Sequence, residues 1–236
     1  MKKIFILAAS MLAGLSAWSQ IAEVSPATPL LRGVESSVYY PELSSDGSKI
    51  FFTDADYKNP RVYDYTDNVT TRIDAPNVAR TRASLQGNSK VTASVEGSVL
   101  NICVDGVTRS FTPVESFAGY CWPSVSPDRT KVMFVAAGKG IVVTDLKGNV
   151  ISQPGTSRME APVWFGNNHI VAMNATDDGH QISSSQIVLM TLDGSQTQAL
   201  TRPESMSMFP SASEIASKVV YNTIDGRLYQ LNVKLK

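Results

Sequence analysis

The sequence predicts an all-β fold, a five-bladed β-propeller of four-stranded antiparallel blades. Three observations carry this: a phrase recurring about every forty residues, four short β-runs within each recurrence, and no helical periodicity between Gln20 and Lys236. The phrase is a proline, an apolar residue two positions on, a polar turn and an apolar run. It reads Tyr40-Pro41-Glu42-Leu43-Ser44-Ser45-Asp46-Gly47-Ser48-Lys49-Ile50 and returns as Trp122-Pro123-Ser124-Val125-Ser126-Pro127-Asp128-Arg129-Thr130-Lys131-Val132. Looser copies run from Ala161-Pro162-Val163 to His169-Ile170 and from Phe209-Pro210-Ser211-Ala212 to Lys218-Val219. A degenerate copy, Ala83-Ser84-Leu85-Gln86-Gly87-Asn88-Ser89-Lys90-Val91, has Ala83 where the proline belongs. Aligned on Ile50, Val91, Val132, Ile170 and Val219, the spacings are 41, 41, 38 and 49, and Lys precedes four of the five residues.

Within each unit the first strand ends at the proline phrase and turns on residues that tolerate tight backbone geometry, such as Ser45-Asp46-Gly47 and Pro127-Asp128-Arg129. The apolar run is the second strand. The third is a β-branched or aromatic run at 61–65, 99–104, 140–144, 186–190 and 227–231. Hairpins at Asp67-Asn68, Asp105-Gly106, Gly148-Asn149 and Asp193-Gly194 lead to short fourth strands at 70–73, 108–112, 150–153 and 198–201. The fifth unit runs out after its third strand. Residues 22–32 are therefore expected to supply its fourth, closing the ring and covering two edges. A β-sandwich and a six-bladed ring with one unrecognised blade remain open.

Residues 1–19 read as a cleavable export signal: Lys2-Lys3, an apolar run over 4–15 and the small-x-small site Ala17-Trp18-Ser19. That run is too short to span a bilayer, no later segment reaches spanning length, and no lipobox cysteine follows. The expectation is a periplasmic or secreted single domain over 20–236, a monomer with no integral membrane segment. The whole chain carries 21 Lys+Arg against 21 Asp+Glu, which leaves no basic footprint for nucleic acid or anionic lipid.

The repeat resembles that of the TolB-like β-propeller family, on Pro-x-apolar-Ser-Pro-Asp-x-x-Lys-apolar followed by apolar-x-x-x-Asp-x-x-Gly. Residues 123–148 match closely, the first, fourth and fifth units in part, and the second has lost the Pro-Asp-Gly turn. The same repeat occurs in propellers of prolyl-oligopeptidase-type enzymes, but no Gly-x-Ser-x-Gly elbow occurs here. The resemblance implies blades, and a binding or scaffolding role in the cell envelope rather than a reaction.

Function is expected at the mouth of the channel, on loops joining strands two and three and successive units. The expected contacts for a protein, peptide or glycan are Arg80, Arg82, Tyr120, Trp122, Arg158, Glu160, Met208 and Phe209. Tyr120 and Trp122 suit blade packing as well as ligand contact, and Arg80 and Arg82 suit channel salt bridges as well as an anion. The expected role is non-enzymatic, without cofactor or metal: Asp54-x-Asp56-x-Lys58 lacks the glycine and closing glutamate of a calcium loop. The alternative is a carbohydrate-active or hydrolytic site of Glu160, Asp177 or Asp178 and His180. Residues 174–185 are expected as a polar loop, His169 as a surface residue, and Cys103 and Cys121 as buried thiols or a disulfide.

Overall fold

The computed structural model describes residues 20–31, 37–73 and 90–236. The expected export signal, Arg80, Arg82 and the expected opening strand of the second unit lie outside the described residues. The others form five antiparallel sheets. Sheet 1 is β3 (Tyr39–Leu43), β4 (Lys49–Thr53), β5 (Arg61–Asp64) and β6 (Val69–Arg72). Sheet 2 is β7 (Val91–Glu96), β8 (Val99–Val104) and β9 (Val107–Phe111). Sheet 3 is β10 (Tyr120–Val125), β11 (Lys131–Ala136), β12 (Gly140–Asp145) and β13 (Val150–Ser152). Sheet 4 is β14 (Met159–Phe165), β15 (His169–Asp177), β16 (Ile182–Thr191) and β17 (Thr197–Ala199). Sheet 5 is β18 (Ser207–Ser213), β19 (Lys218–Thr223) and β20 (Leu228–Leu235), and its outer edge is taken by β1 (Ala22–Val24) and β2 (Thr28–Pro29). Ala22 pairs with Leu235 and Thr28 with Gln230. Apart from one 3-10 turn at Pro203–Ser205, the described residues hold no helix, so none is long and apolar enough to cross a membrane.

The turn between the first two strands explains the recurring Ser-x-Asp-x-x-Lys. Ser44 N donates to Lys49 O and Lys49 N to Ser44 Oγ, both at 2.9 Å, while Ser44 Oγ donates to Asp46 Oδ1 at 2.6 Å. The third unit repeats the set: Lys131 N donates to Ser126 Oγ at 3.0 Å and Ser126 Oγ to Asp128 Oδ1 at 2.5 Å. Hydrogen bonds from Ser44 and Ser48 hold the Asp46 carboxyl down at about 2. The Lys before the second strand has three uses: Lys49 pairs with Asp64 and Lys90 with Asp105, Lys131 with Asp128, and Lys218 reaches Gly47 O and lies over the Tyr65 ring.

A sheet that is apolar on both faces must be covered twice, and the second strand divides its side chains between two neighbours. Val132 and Phe134 pack toward sheet 2, while Met133 and Val135 pack toward sheet 4. Ile170 and Ala172 face sheet 3, Val171 and Met173 sheet 5; Val219 and Tyr221 face sheet 4, and Val220 meets Ile50 and Phe52 of sheet 1. The described sheets thus pack in the order 2-3-4-5-1. Sheet 5 is also bonded to sheet 1: Leu43 N donates to Ser211 Oγ at 2.9 Å and Ser213 Oγ to Ser45 O at 2.6 Å. Between sheets 2 and 3, Tyr120 N donates to Gly97 O at 2.7 Å. A Cβ on Gly119 would meet that same carbonyl oxygen at 2.7 Å, so only glycine, at φ +91°, allows the approach.

Two expectations are corrected. Val91 is out of phase with its four aligned counterparts. Ile50, Val132, Ile170 and Val219 face the preceding sheet, but β7 turns Ala93 and Val95, and hence Val91, toward sheet 3. Thr92, Ser94 and Glu96 occupy the opposite face and are exposed. Among the described residues no apolar cluster joins sheet 1 to sheet 2. The second correction is that residues 174–185 are not a loop: strand pairing continues through Ala175–Ser185 and Thr176–Ser184 to Asp177–Ile182, and only 178–181 turn.

Ser211→Ala removes the acceptor for the Leu43 amide at the buried junction of sheets 5 and 1. Urea unfolding should show a loss of about 1–3 kcal/mol, the cost of a buried unsatisfied donor.

Candidate functional site

Four inner strands share one irregularity. The register of β3, β10, β14 and β18 with the next strand shifts between Tyr39 and Glu42, Cys121 and Ser124, Glu160 and Val163, and Met208 and Ser211. At each bulge the residue before the proline is left-handed: Tyr40 at φ +52°, Trp122 at +50°, Ala161 at +45° and Phe209 at +48°. A bulge leaves one residue outside the ladder, and proline has no N–H to lose there. Left-handed backbone costs a residue with a Cβ about 1–2 kcal/mol, so bulky side chains there mark an imposed geometry. These bulges lie at the end of the sheets where strands two and three are joined.

On sheets 1 and 5 the geometry gathers aromatic rings. Tyr40 stacks on Tyr57 with centroids 4.1 Å apart and planes 8° from parallel, and Phe209 lies 4.7 Å from Tyr40 on another side. Burial, then the Tyr57 hydroxyl, pushes the Tyr40 phenol up to about 12. Tyr57 remains 59% exposed. Arg61 braces the neighbouring loop, bonding Asp54 at 2.5 Å and Ser37 O at 3.0 Å and lying over the Phe52 ring. With Asp54 held by Arg61 and Asp56 by Lys58 at 2.7 Å, that acidic pair is occupied by cations of the chain itself.

On sheets 3 and 4 the geometry gathers acid. Glu160 is half-buried; burial pushes its carboxyl above the usual range, and the charge of Asp177 pushes it further. Glu160 in turn adds to the effect of burial in raising the Cys121 thiol. Asp177 accepts Gly179 N, while Asp178 accepts His180 N and Gln181 N, each at 2.9 Å. Among the described residues no basic side chain forms an ion pair with any of these three acids. At the bulge of the adjacent sheet, next to Cys121, Trp122 is 37% exposed, and Phe117, 86% exposed, lies over Gly138 on the same end of sheet 3.

The expected site residues divide. Trp122, Arg158 and Glu160 reach the surface at this end, and Phe209 joins the Tyr40 stack. Tyr120 and Met208 are buried. The Tyr120 ring packs 4.6 Å from Phe134 and its hydroxyl donates to Val114 O, which answers the choice left open for it in favour of packing. Met208 belongs to the core between sheets 4 and 5. Tyr40 was not singled out from the sequence, although the aromatic-proline pairs Tyr40-Pro41, Trp122-Pro123 and Phe209-Pro210 were its signal. His169 is half-buried, which lowers its basicity, and His180 is exposed at the hairpin tip. Cys103 and Cys121 are free, half-buried thiols. Among the described residues no three His, Cys, Asp or Glu side chains converge to hold a metal ion.

The fold is shared with regucalcin. That calcium-binding protein from Agrobacterium tumefaciens superposes with a TM-score of 0.54 at 12% identity, over 89% of this chain and 92% of its own. A TolB-type protein of the same organism is similar at a TM-score of 0.47 and 15% identity, over 86% and 81% of the two chains. TolB from Acinetobacter baumannii gives 0.44 and 14%, over 84% and 56%. No protein-family model matches the chain and no curated protein is similar to it in sequence. The likeness is one of fold alone, that of a β-propeller.

Asp177→Asn should lower the Glu160 pKa toward that of a free glutamate, because it removes the neighbouring negative charge and leaves the burial. A carboxyl-carbon NMR titration reads this; an unmoved Glu160 midpoint would separate the two groups.

Proposed function

We propose that the chain is a non-enzymatic, exported five-bladed propeller that binds a protein partner at its mouth. The observation that carries this is the row of left-handed aromatic residues on the inner strands, which sets Trp122 and the Tyr40–Tyr57 stack at one end of the sheets, beside unpaired acid. Exposed aromatic anchors of this kind dominate binding energy at protein interfaces. In this reading sheets 1 to 5 are the five blades, and β1 and β2 close the ring on β20. Packing of sheet 5 on sheet 1 supports closure, as does the bond from Ala22 N to Gln198 Oε1 at 2.9 Å, which ties β1 to sheet 4 as well. Export rests on the signal-like first nineteen residues. Arg158 stands at the same end, Arg80 and Arg82 are carried as further partner contacts on the sequence alone, and the protein acts as a monomer within an envelope complex.

One observation favours the carboxylate reading: Glu160 and Asp177 interact, and Glu160 holds its proton more tightly than a free glutamate. The Asp178 carboxylate, however, is taken by the His180 and Gln181 main-chain amides of the hairpin turn. Release of sugar or acyl product by the purified chain, abolished by Glu160→Gln, would favour catalysis over binding.

The binding reading is tested by affinity capture from envelope extracts with the wild-type chain and with Trp122→Ala and Tyr57→Ala. Both residues are exposed, so the variants should fold, and each should weaken a captured partner about tenfold or more. A partner held equally by all three chains would remove the mouth from the account. Deleting residues 20–29 should lower the thermal midpoint and broaden the transition, as calorimetry reads; an unchanged transition would overturn closure by β1 and β2.

A further inference from the structure

The inner strand of sheet 4 stops short of its neighbour. β14 pairs with β15 up to Met159–Asn174, but β15 continues to Asp177, paired only with β16. Ala175, Thr176 and Asp177 therefore present an inner edge that no strand covers among the described residues, and Thr176 and Asp177 are exposed. Such an edge accepts an extended chain by main-chain hydrogen bonding. Immediately below it lies Glu160, half-buried and without an ion-pair partner, and Trp122 shows its indole at the equivalent bulge of the adjacent sheet. Arg158, two residues before Glu160, is exposed and forms no ion pair among the described residues, leaving Glu160, Asp177 and Asp178 as three acids against one local base there.

We propose that this corner of the mouth takes an extended, basic segment of a protein partner, which adds as a strand to Ala175–Asp177 and sets a Lys or Arg side chain between Glu160, Asp177 and the Trp122 indole. The proposal rests on the binding reading above and specifies its partner. Complementary charge supplies the choice of occupant: a carboxylate pair at a mouth repels an acidic or phosphorylated segment and attracts a cationic one. An indole face beside that pair adds attraction for the same cation. The free edge supplies the extended conformation, because the main-chain groups that face away from β16 repeat only along a strand.

The test selects binders to the full chain from a displayed library of random twelve-residue peptides. The expected binders carry Lys or Arg at alternate positions, lose about tenfold or more in affinity for the E160Q/D177N double variant, and quench Trp122 fluorescence in the wild type. N-methylation of alternate backbone amides should abolish their binding. Binders without basic residues, binders indifferent to E160Q/D177N, or no enrichment at all would each overturn the proposal. Should the double variant fail to fold, the selected peptides with Lys and Arg changed to Glu are tested on the wild-type chain, where retained binding overturns it equally. The partner reading separates cleanly. Envelope capture lost in Trp122→Ala but kept in E160Q/D177N sinks the basic segment alone, while capture indifferent to both sinks the mouth as well.

Discussion

The structure depends on one constraint: sheets 3, 4 and 5 are apolar on both faces and must be covered on both. Alternate residues of the second strand answer it by packing against different neighbours, as Phe134 does against sheet 2 and Met133 against sheet 4. Complete burial of one large apolar side chain contributes about 1.5–3 kcal/mol, and Ile50, Phe52, Phe134, Ile170 and Leu189 are all completely buried. Once the sheets stand face to face, their strand-two to strand-three loops lie at one common end. The same constraint gives sheet 5 its borrowed outer strands, because β20 would otherwise expose an open edge.

Most strands were legible because their signals are local. The Ser44–Asp46 and Ser126–Asp128 turns are closed by side chains within five residues of one another, so the same letters mark the same turn in both units. The apolar runs that follow are β-branched and aromatic and could hardly be anything but strands. The residues at 22–32 were correctly associated with β20, though as two short strands, Ala22–Val24 and Thr28–Pro29.

What was not legible depends on which neighbour a residue meets. Val91 matched its counterparts in spacing and in its preceding Lys, yet its side chain serves the other face, since a strand can slip by one residue without changing its composition. Residues 174–185, rich in Asp, Gly and Ser, read as a loop because strand propensity is weak there. Pairing across the hairpin overrides that weakness, and Ser185, fully buried, bonds Ser207 O of the next sheet. At the mouth, the proline pointed to an irregular inner strand but not to the left-handed residue before it. Trp122 was therefore weighed as packing or contact without the backbone geometry that lifts it out. Tyr120, two residues earlier and still in register, went into the core.

The bulges also bear on how such a molecule changes over time. Because the left-handed residue stands outside the hydrogen-bonded ladder, its side chain can be exchanged with little disturbance to the strand that carries it. Tyr, Trp, Ala and Phe already occupy the four positions at nearly the same φ. The chain thus carries, at one end of its sheets, positions whose backbone is fixed by the bulge while the side chain differs from sheet to sheet. New recognition can arise there one residue at a time, without loss of the scaffold.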